Sequence, residues 1–283
     1  SQIIGFVNAD NEGAYGLEAL YEDELQGTAG LVVTEKNARG EDVLYKYEQY
    51  YDAQDGDSLV LTIDATVQHY LEQGLSDAVE KFDVKNGATG IVMNVKTGAI
   101  LAMASLPNYD LNEPRAIFDT RLAAQLDGLE GDAYKEKLGE LQLKQWRSKA
   151  INDTYEPGST FKIITLAMAL EEGVINENTT FDCSGHVNVT GWPKPIYCSK
   201  KAGHGHQTLA KAVANSCNPA FINIGLKVGT QKFYQYIKDF GFLGSTGIDL
   251  QGEGKGIFFD EKQFNSQVVS LASAAFGQTF TVT

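Results

Sequence analysis

One serine, one lysine and a second serine–asparagine pair carry the chemistry that this sequence can offer. Ser159 and Lys162 stand three residues apart in "YEPGSTFKIITLAMALEEG", residues 155–173. On a helix that spacing puts two side chains on one face, with Cβ atoms roughly 5–6 Å apart. The residues that follow, Phe161, Ile163, Ile164, Leu166, Met168 and Leu170, are apolar around the whole axis, the pattern of a buried helix. An ammonium in such a setting loses hydration, and desolvation lowers its pKa. A neutral lysine beside a serine hydroxyl can take its proton, which makes Ser159 a nucleophile and Lys162 its base. The bland alternative is that Ser159 caps the helix and Lys162 reaches to solvent. This is the only S-x-x-K in the chain, and it opens the apolar segment.

The second pair lies in "SCN", Ser216 to Asn218, ahead of the helix that Pro219 should start. A serine and an amide at i and i+2 in a loop can point into one cleft. There Ser216 can relay a proton, and Asn218 can bind a substrate amide or the lysine. The competing reading makes Asn218 a simple N-cap.

The elements that would hold these residues follow from pattern. "GLEALYEDELQG" has one apolar helical face, and "DGDSLVLTID" reads as a strand over 59–63. Asp64 is a fit N-cap for a helix whose stripe is Val67, Tyr70, Leu71, Leu75, Ala78, Val79 and Phe82. "ATGIVMNVKTGAILAMAS" predicts a hairpin, with strands 89–95 and 99–105 about Thr97-Gly98. Both strands are nearly continuously apolar, so both faces should be covered. Residues 110–150 are polar and helix-prone. The S-x-x-K helix should run from about Ser159 to Glu172, stopped by Gly173. Residues 176–208 form an irregular stretch, and helices follow in "TLAKAVANS", "CNPAFINIGLKVG" and "TQKFYQYIKDFGF". A two-stranded sheet buried on both faces is no finished domain, so the expectation is that further strands follow Thr283.

Together the motifs resemble the serine penicillin-recognising enzymes, whose signature is S-x-x-K, S-x-N and K-[ST]-G. The likeness is closest to class B penicillin-binding proteins, the D,D-transpeptidases. "GLEALYEDELQGTAG" is similar to the family's pedestal segment. "LTIDATVQHYLE", "GIVMNVKTGAILAMASLPNYDLN" and "FGQTFTVT" are similar to blocks of its catalytic domain. "GHGHQTLAKAVANSCN" and "FGQTF" lean towards its sporulation-specific members. The resemblance implies a mixed α/β fold, a sheet flanked by helices plus a helical subdomain, with the catalytic serine between them. It implies that residues 1–56 belong to a pedestal or dimerisation-type domain and 57–283 to the transpeptidase domain. The implied reaction is attack by Ser159 on the penultimate D-Ala carbonyl of a peptidoglycan stem peptide, then transfer of the acyl group to a neighbouring amine. Ser159, Lys162, Ser216 and Asn218 would be catalytic, with Asn218 also binding substrate. β-Lactams would acylate Ser159, and no cofactor is implied. A membrane glycosyltransferase of the wall machinery would be the partner, at the extracytoplasmic face, with an N-terminal anchor outside this chain. A β-lactam sensor or β-lactamase shares S-x-x-K and is the alternative; a non-catalytic wall scaffold is the second.

"KTG" occurs at Lys96-Thr97-Gly98, ahead of Ser159, whereas the family's third motif follows S-x-N. It reads as the hairpin turn. The strand that should carry K-[ST]-G is therefore absent from these residues, and the chain by itself is expected not to turn over substrate.

Three cysteines, Cys183, Cys198 and Cys217, are too few for a disulfide scaffold. Cys183, His186, Cys198, His204 and His206 fall within 24 positions, but their spacing matches no standard zinc pattern, and no metal is expected. A Cys183–Cys198 disulfide is favoured if the domain lies outside the cytoplasm. Cys217 reads as a small packed side chain.

The 283 residues are 43% hydrophobic with a net charge of −14, which is globular composition without the basic face that nucleic acid requires. No apolar run reaches the roughly 20 residues of a membrane span.

Overall fold

The computed structural model describes residues 1–33 and 49–283. Part of the expected pedestal segment, residues 34–48, lies outside the described residues. Two compact units divide the chain: Ser1–Asn152 with Asp249–Gly252, and Asp153–Ile248 with Glu253–Thr283.

The first unit begins with a short antiparallel pair, β1 (Phe6–Val7) and β2 (Gly13–Tyr15). The predicted amphipathic helix is broken into α1 (Gly16–Leu20) and α2 (Glu22–Leu25). Strands β3 (Leu31–Val33) and β4 (Gln49–Tyr51) pair antiparallel. No regular structure forms over 59–63, where a strand is expected from sequence, and Val60 is 97% exposed. A strand needs a neighbour to satisfy its backbone, and none of the described strands pairs with this segment. Asp64 caps α3 (Ala65–Lys81), its Oδ1 accepting from the N–H groups of Thr66 and Val67 at 2.8 and 3.0 Å.

The hairpin forms from β5 (Ala88–Met93) and β6 (Ile100–Leu106). Its turn is Asn94–Gly98: Gly98 N–H donates to the Asn94 carbonyl at 2.8 Å, and Gly98 has φ +77°. Lys96-Thr97-Gly98 is thus a turn sequence. β6 is buried from Ala102 to Leu106, but Ile91 and Met93 on β5 are exposed, so only part of the pair is covered among the described residues. The unit closes with α4 (Thr120–Ala123), α5 (Gly131–Trp146) and α6 (Lys149–Asn152). Phe6, Tyr15 and Trp146 form its aromatic centre, with Phe6 and Trp146 rings 5.1 Å apart.

In the second unit a 3₁₀ turn (Gly158–Phe161) leads into α7 (Lys162–Glu171). Between α7 and the next helix lie two small antiparallel pairs, where sequence predicts irregular chain. The outer pair is β7 (Thr180–Cys183) with β10 (Gly205–Thr208), and the inner is β8 (His186–Val187) with β9 (Ile196–Tyr197). Then come α8 (Leu209–Ala214), α9 (Asn218–Val228), α10 (Thr230–Asp239), α11 (Glu261–Ser266) and α12 (Val268–Ala274). The centre is α9, whose Phe221, Ile222 and Ile224 are fully buried; α7, α10 and α12 pack against it. Gly225 permits the close approach of α9 to the end of α12, since a Cβ there would stand 2.6 Å from that of Ala275. The buried Thr165 hydroxyl donates to the Ala275 carbonyl at 2.9 Å, which ties α7 to the same end.

Candidate active site

The chain before Ser159 is held by the last residues of the same unit. Tyr155 and Val282 exchange backbone hydrogen bonds of 2.8 and 2.9 Å. Thr279 N–H donates to Glu156 Oε1 at 2.9 Å, and Gly158 N–H donates to the Gly277 carbonyl at 2.8 Å. Gly277 has φ +81°, and a Cβ on it would overlap the Gly158 carbonyl, so only glycine fits. Gly158 itself sits at φ +57°, which completes a sharp turn. Ser159 emerges exposed on that turn, at the amino end of α7, where the helix dipole favours negative charge.

Lys162 begins the α-helix one turn later and is only 4% exposed. The helix is not buried all round, as Ile163 is 69% exposed. Its covered face carries Lys162, Thr165, Met168 and Ala169, so burial of the lysine follows from the face it occupies rather than from an apolar circumference. Four oxygens surround its Nζ: Ser159 Oγ at 3.1 Å, the Ser216 carbonyl at 2.8 Å, Ser216 Oγ at 2.9 Å and Asn218 Oδ1 at 2.7 Å. The Phe221 ring covers it, with the centroid 5.4 Å from Nζ. Burial pushes the lysine below its ordinary pKa, against the opposing pull of the Cys198 and Cys217 sulfurs.

The Ser216 carbonyl and Asn218 Oδ1 can only accept. An amine has two N–H groups and one lone pair, so the two fixed acceptors use both hydrogens. The lone pair is then left for the hydroxyl proton of Ser159 or Ser216. An ammonium has three N–H groups for the four oxygens. The shell thus serves both protonation states, as a group that takes and returns a proton requires.

Ser216 holds the left-handed conformation, φ +46°, uncommon for a residue with a Cβ. It lies where α8 ends: Ser216 N–H donates to the Val213 carbonyl at 2.9 Å, and Cys217 N–H to the Ala212 carbonyl at 3.0 Å. This reversal turns both the Ser216 hydroxyl and its carbonyl onto Lys162. Asn218 does not cap α9. The N-cap is Cys217, without a side-chain bond, and the Asn218 amide spans instead from Lys162 to the Tyr197 carbonyl, to which Nδ2 donates at 3.1 Å. Ser159, Lys162, Ser216 and Asn218 therefore meet at one nitrogen.

The cysteines and histidines sort differently from their order in sequence. Cys183 and Cys198 are free thiols, and they share a site with His204 and Cys217; one ligand atom from each of the four lies within 4.8 Å of all the others. Cys198 Sγ is 3.6 Å from His204 Nδ1. His206 instead pairs with Asp182 at 2.9 Å, and His186 rests beside the Tyr197 ring. Cys217 is fully buried, so it is a packed side chain and also a member of this cluster. Burial pushes the Cys217 thiol up to about 12. Although burial also acts to raise Cys198, backbone N–H groups of Lys200 and Asn218 hold it below the ordinary thiol value.

Glu156, Gly277 and Thr279 position the serine turn without a local motif of their own. The signal available in sequence was only that "FGQTFTVT" is similar to a family block.

Residues 88–283 match the penicillin binding protein transpeptidase domain, and residues 2–61 match the penicillin-binding protein dimerisation domain. The chain is 39% identical over its whole length to stage V sporulation protein D of Bacillus subtilis, covering 40% of that protein. It is 33% identical to the peptidoglycan D,D-transpeptidase MrdA of Haemophilus influenzae over 89% of the chain and 35% of the relative. Among solved structures, penicillin binding protein 2X of Streptococcus thermophilus superposes with a TM-score of 0.75 at 26% identity, over 100% of this chain and 39% of that one. The chain thus spans well under half the length of each of these three.

Proposed function

We propose that this chain, which belongs to the penicillin-binding protein transpeptidase family, carries the nucleophile and base of a peptidoglycan D,D-transpeptidase. The observation that carries the reading is the single buried Lys162 Nζ within 3.1 Å of Ser159 Oγ, Ser216 Oγ and Asn218 Oδ1. Lys162, neutral, accepts the Ser159 proton as Oγ attacks the penultimate D-Ala carbonyl of a stem peptide. The proton passes by way of Lys162 and Ser216 to the amine of the departing D-Ala, and an acyl-enzyme ester remains. An amine of a neighbouring stem then attacks the ester, gives up a proton along the same path, and restores the Ser159 hydroxyl. Asn218 orients Lys162 and offers its amide to the substrate backbone. A β-lactam carbonyl takes the place of the D-Ala carbonyl, and its opened ring stays attached as the blocking group.

Residues 1–56 belong in this reading to the non-catalytic dimerisation segment, and 57–283 to the transpeptidase domain. The work is done at the extracytoplasmic face of the membrane, beside a glycosyltransferase that makes the glycan strands. Among the described residues no helix is long and apolar enough to cross a membrane. The 39% identity to a stage V sporulation protein supports the sporulation branch of the family.

The test is acylation of the intact protein by a fluorescent penicillin. A stable adduct is expected on Ser159 by peptide mass spectrometry, and none in Ser159→Ala. Rapid hydrolysis without a lasting adduct would assign a β-lactamase, and no reaction at all would leave a scaffold.

A further inference from the structure

We propose that Cys183, Cys198, His204 and Cys217 form a binding site for one zinc ion that fixes the Ser216–Asn218 loop. Three sulfurs and one imidazole meet here, with ligand atoms no more than 4.8 Å apart. A tetrahedral zinc with Zn–S bonds of about 2.3 Å needs sulfurs about 3.8 Å apart, so the ion would draw the most widely separated ligand atoms together by about 1 Å. Three cysteines and a histidine form a closed set with the softness that selects zinc over magnesium or calcium.

The cysteines are buried and His204 is half-buried. Backbone N–H groups of Lys200 and Asn218 point to the Cys198 sulfur, and that of Ala220 to the Cys217 sulfur. Hydrogen bonds of this kind orient metal-bound thiolates. Gln207 Nε2 is buried without a hydrogen-bond partner, while the Gln207 side chain interacts with the Cys217 sulfur; a thiolate there would supply the missing acceptor. A disulfide would use only two of the sulfurs and leave a thiol and an imidazole crowded against it. A metal uses all four groups. On binding, three thiols lose their protons to solvent and His204 ligates as neutral imidazole, with no change of oxidation state.

The four ligands come from separate pieces of chain. Cys183 ends β7, Cys198 follows β9, His204 precedes β10, and Cys217 is the N-cap of α9. Cys217 also separates Ser216 from Asn218, and Tyr197, next to Cys198, accepts from Asn218. One ion would therefore tie the left-handed Ser216 and the Asn218 amide to both small β pairs. This consequence for catalysis rests on the proposed function; the binding of metal does not.

The intact protein, purified reduced and without chelator, is analysed for metal by mass spectrometry and reloaded with zinc or cobalt(II). One zinc per chain is expected, and the cobalt form should show the intense visible bands of a tetrahedral thiolate site. Cys183→Ala and His204→Ala should each weaken zinc at least about tenfold in chelator competition, with circular dichroism confirming a folded chain. Should those variants unfold, protection of the wild-type thiols from alkylation by zinc gives the same reading. Zinc uptake by the reduced, folded protein no greater than in the Cys183→Ala/His204→Ala double variant would overturn the site. So would a disulfide among these cysteines that, once reduced, leaves thiols indifferent to zinc. Metal removal should also slow penicillin acylation; a protein that binds zinc yet is never acylated would discard the proposed function and keep the metal site.

Discussion

Replacing Asn218 by Asp would set a carboxylate where an amide oxygen now stands 2.7 Å from Lys162 Nζ. An anion at that distance favours the ammonium. Acylation of Asn218→Asp should therefore need a higher pH, with the rising limb of the pH–rate profile moved upward and the folded state retained. The wild-type limb itself should lie below the ordinary lysine value of about 10.4, because burial lowers Lys162. The same shift has a sign for stability. Between the lowered folded pKa and the unfolded one, the unfolded chain binds the extra proton, so this residue's contribution to stability rises with pH across that window. Thermal melts from neutral to alkaline pH should show less of that gain in Lys162→Met than in wild type. Lys162→Arg keeps the charge and cannot accept a proton, so acylation should drop by at least about 10²-fold at any pH. At this scale the site was half legible. Ser159 and Lys162 are three positions apart, and a helix alone brings them together. For Asn218 the sequence left two readings open, a partner of the lysine or a cap, because an asparagine ahead of Pro219 is equally good as a cap; the Tyr197 carbonyl, contributed by β9, decides where the amide points. The cluster of Cys183, Cys198, His204 and Cys217 was hidden: it depends on the pairing of β7 with β10 and on the left-handed Ser216, neither of which has a periodic signature.

Between elements, the contact that sets the serine turn is the approach of Gly158 to Gly277, joined at 2.8 Å. Gly277→Ala would place a methyl group on the Gly158 carbonyl and force a side chain into φ +81°. It should cost on the order of 1–3 kcal/mol in denaturant unfolding, and acylation should slow as the turn moves. Gly225→Ala makes a useful contrast: it meets the Ala275 methyl at 2.6 Å, inside the helix packing and with no contact to the Gly158–Gly277 turn. A comparable loss of stability is expected from overpacking, with much less effect on acylation. If both variants slowed acylation equally, the turn would have no special part. Periodicity located the hairpin, α3, α7, α9 and α10, because each has local pattern and an end signal such as Asp64, Gly98 or Pro219. It failed over 59–63, where an apolar run suggested a strand but no described strand offers a partner. It also missed the two small β pairs between α7 and α8, whose strands of two to four residues are too short to show a period.

Across the whole chain, apolar residues are covered unequally, and this should be measurable. In the second unit, Phe161, Phe233, Phe264 and Phe280 join α9 in one continuous cluster with few water-exposed members. In the first, Val60, Tyr70, Phe82 and Val95 all stand exposed along the 57–64 segment, α3 and the hairpin turn. Composition could not foresee this difference, since it counts apolar residues without saying which of them find a partner. Local opening follows the amount of buried apolar contact and the protection of backbone hydrogen bonds. Amide exchange should therefore be slowest in α9, near Ile222 and Ile224, where opening requires disrupting the cluster as a whole. Residues 58–63, with no pairing among the described strands, should exchange at close to the rate of an open chain. The gap should be at least about 10³-fold, given a typical global stability of 5–15 kcal/mol. Hydrogen–deuterium exchange on the 283-residue chain reads it directly. Equal protection of the two regions would mean that the core around α9 is not an independent centre of stability. The loop that carries Ser216 and Asn218 would then lack the rigid support that its close hold on Lys162 requires.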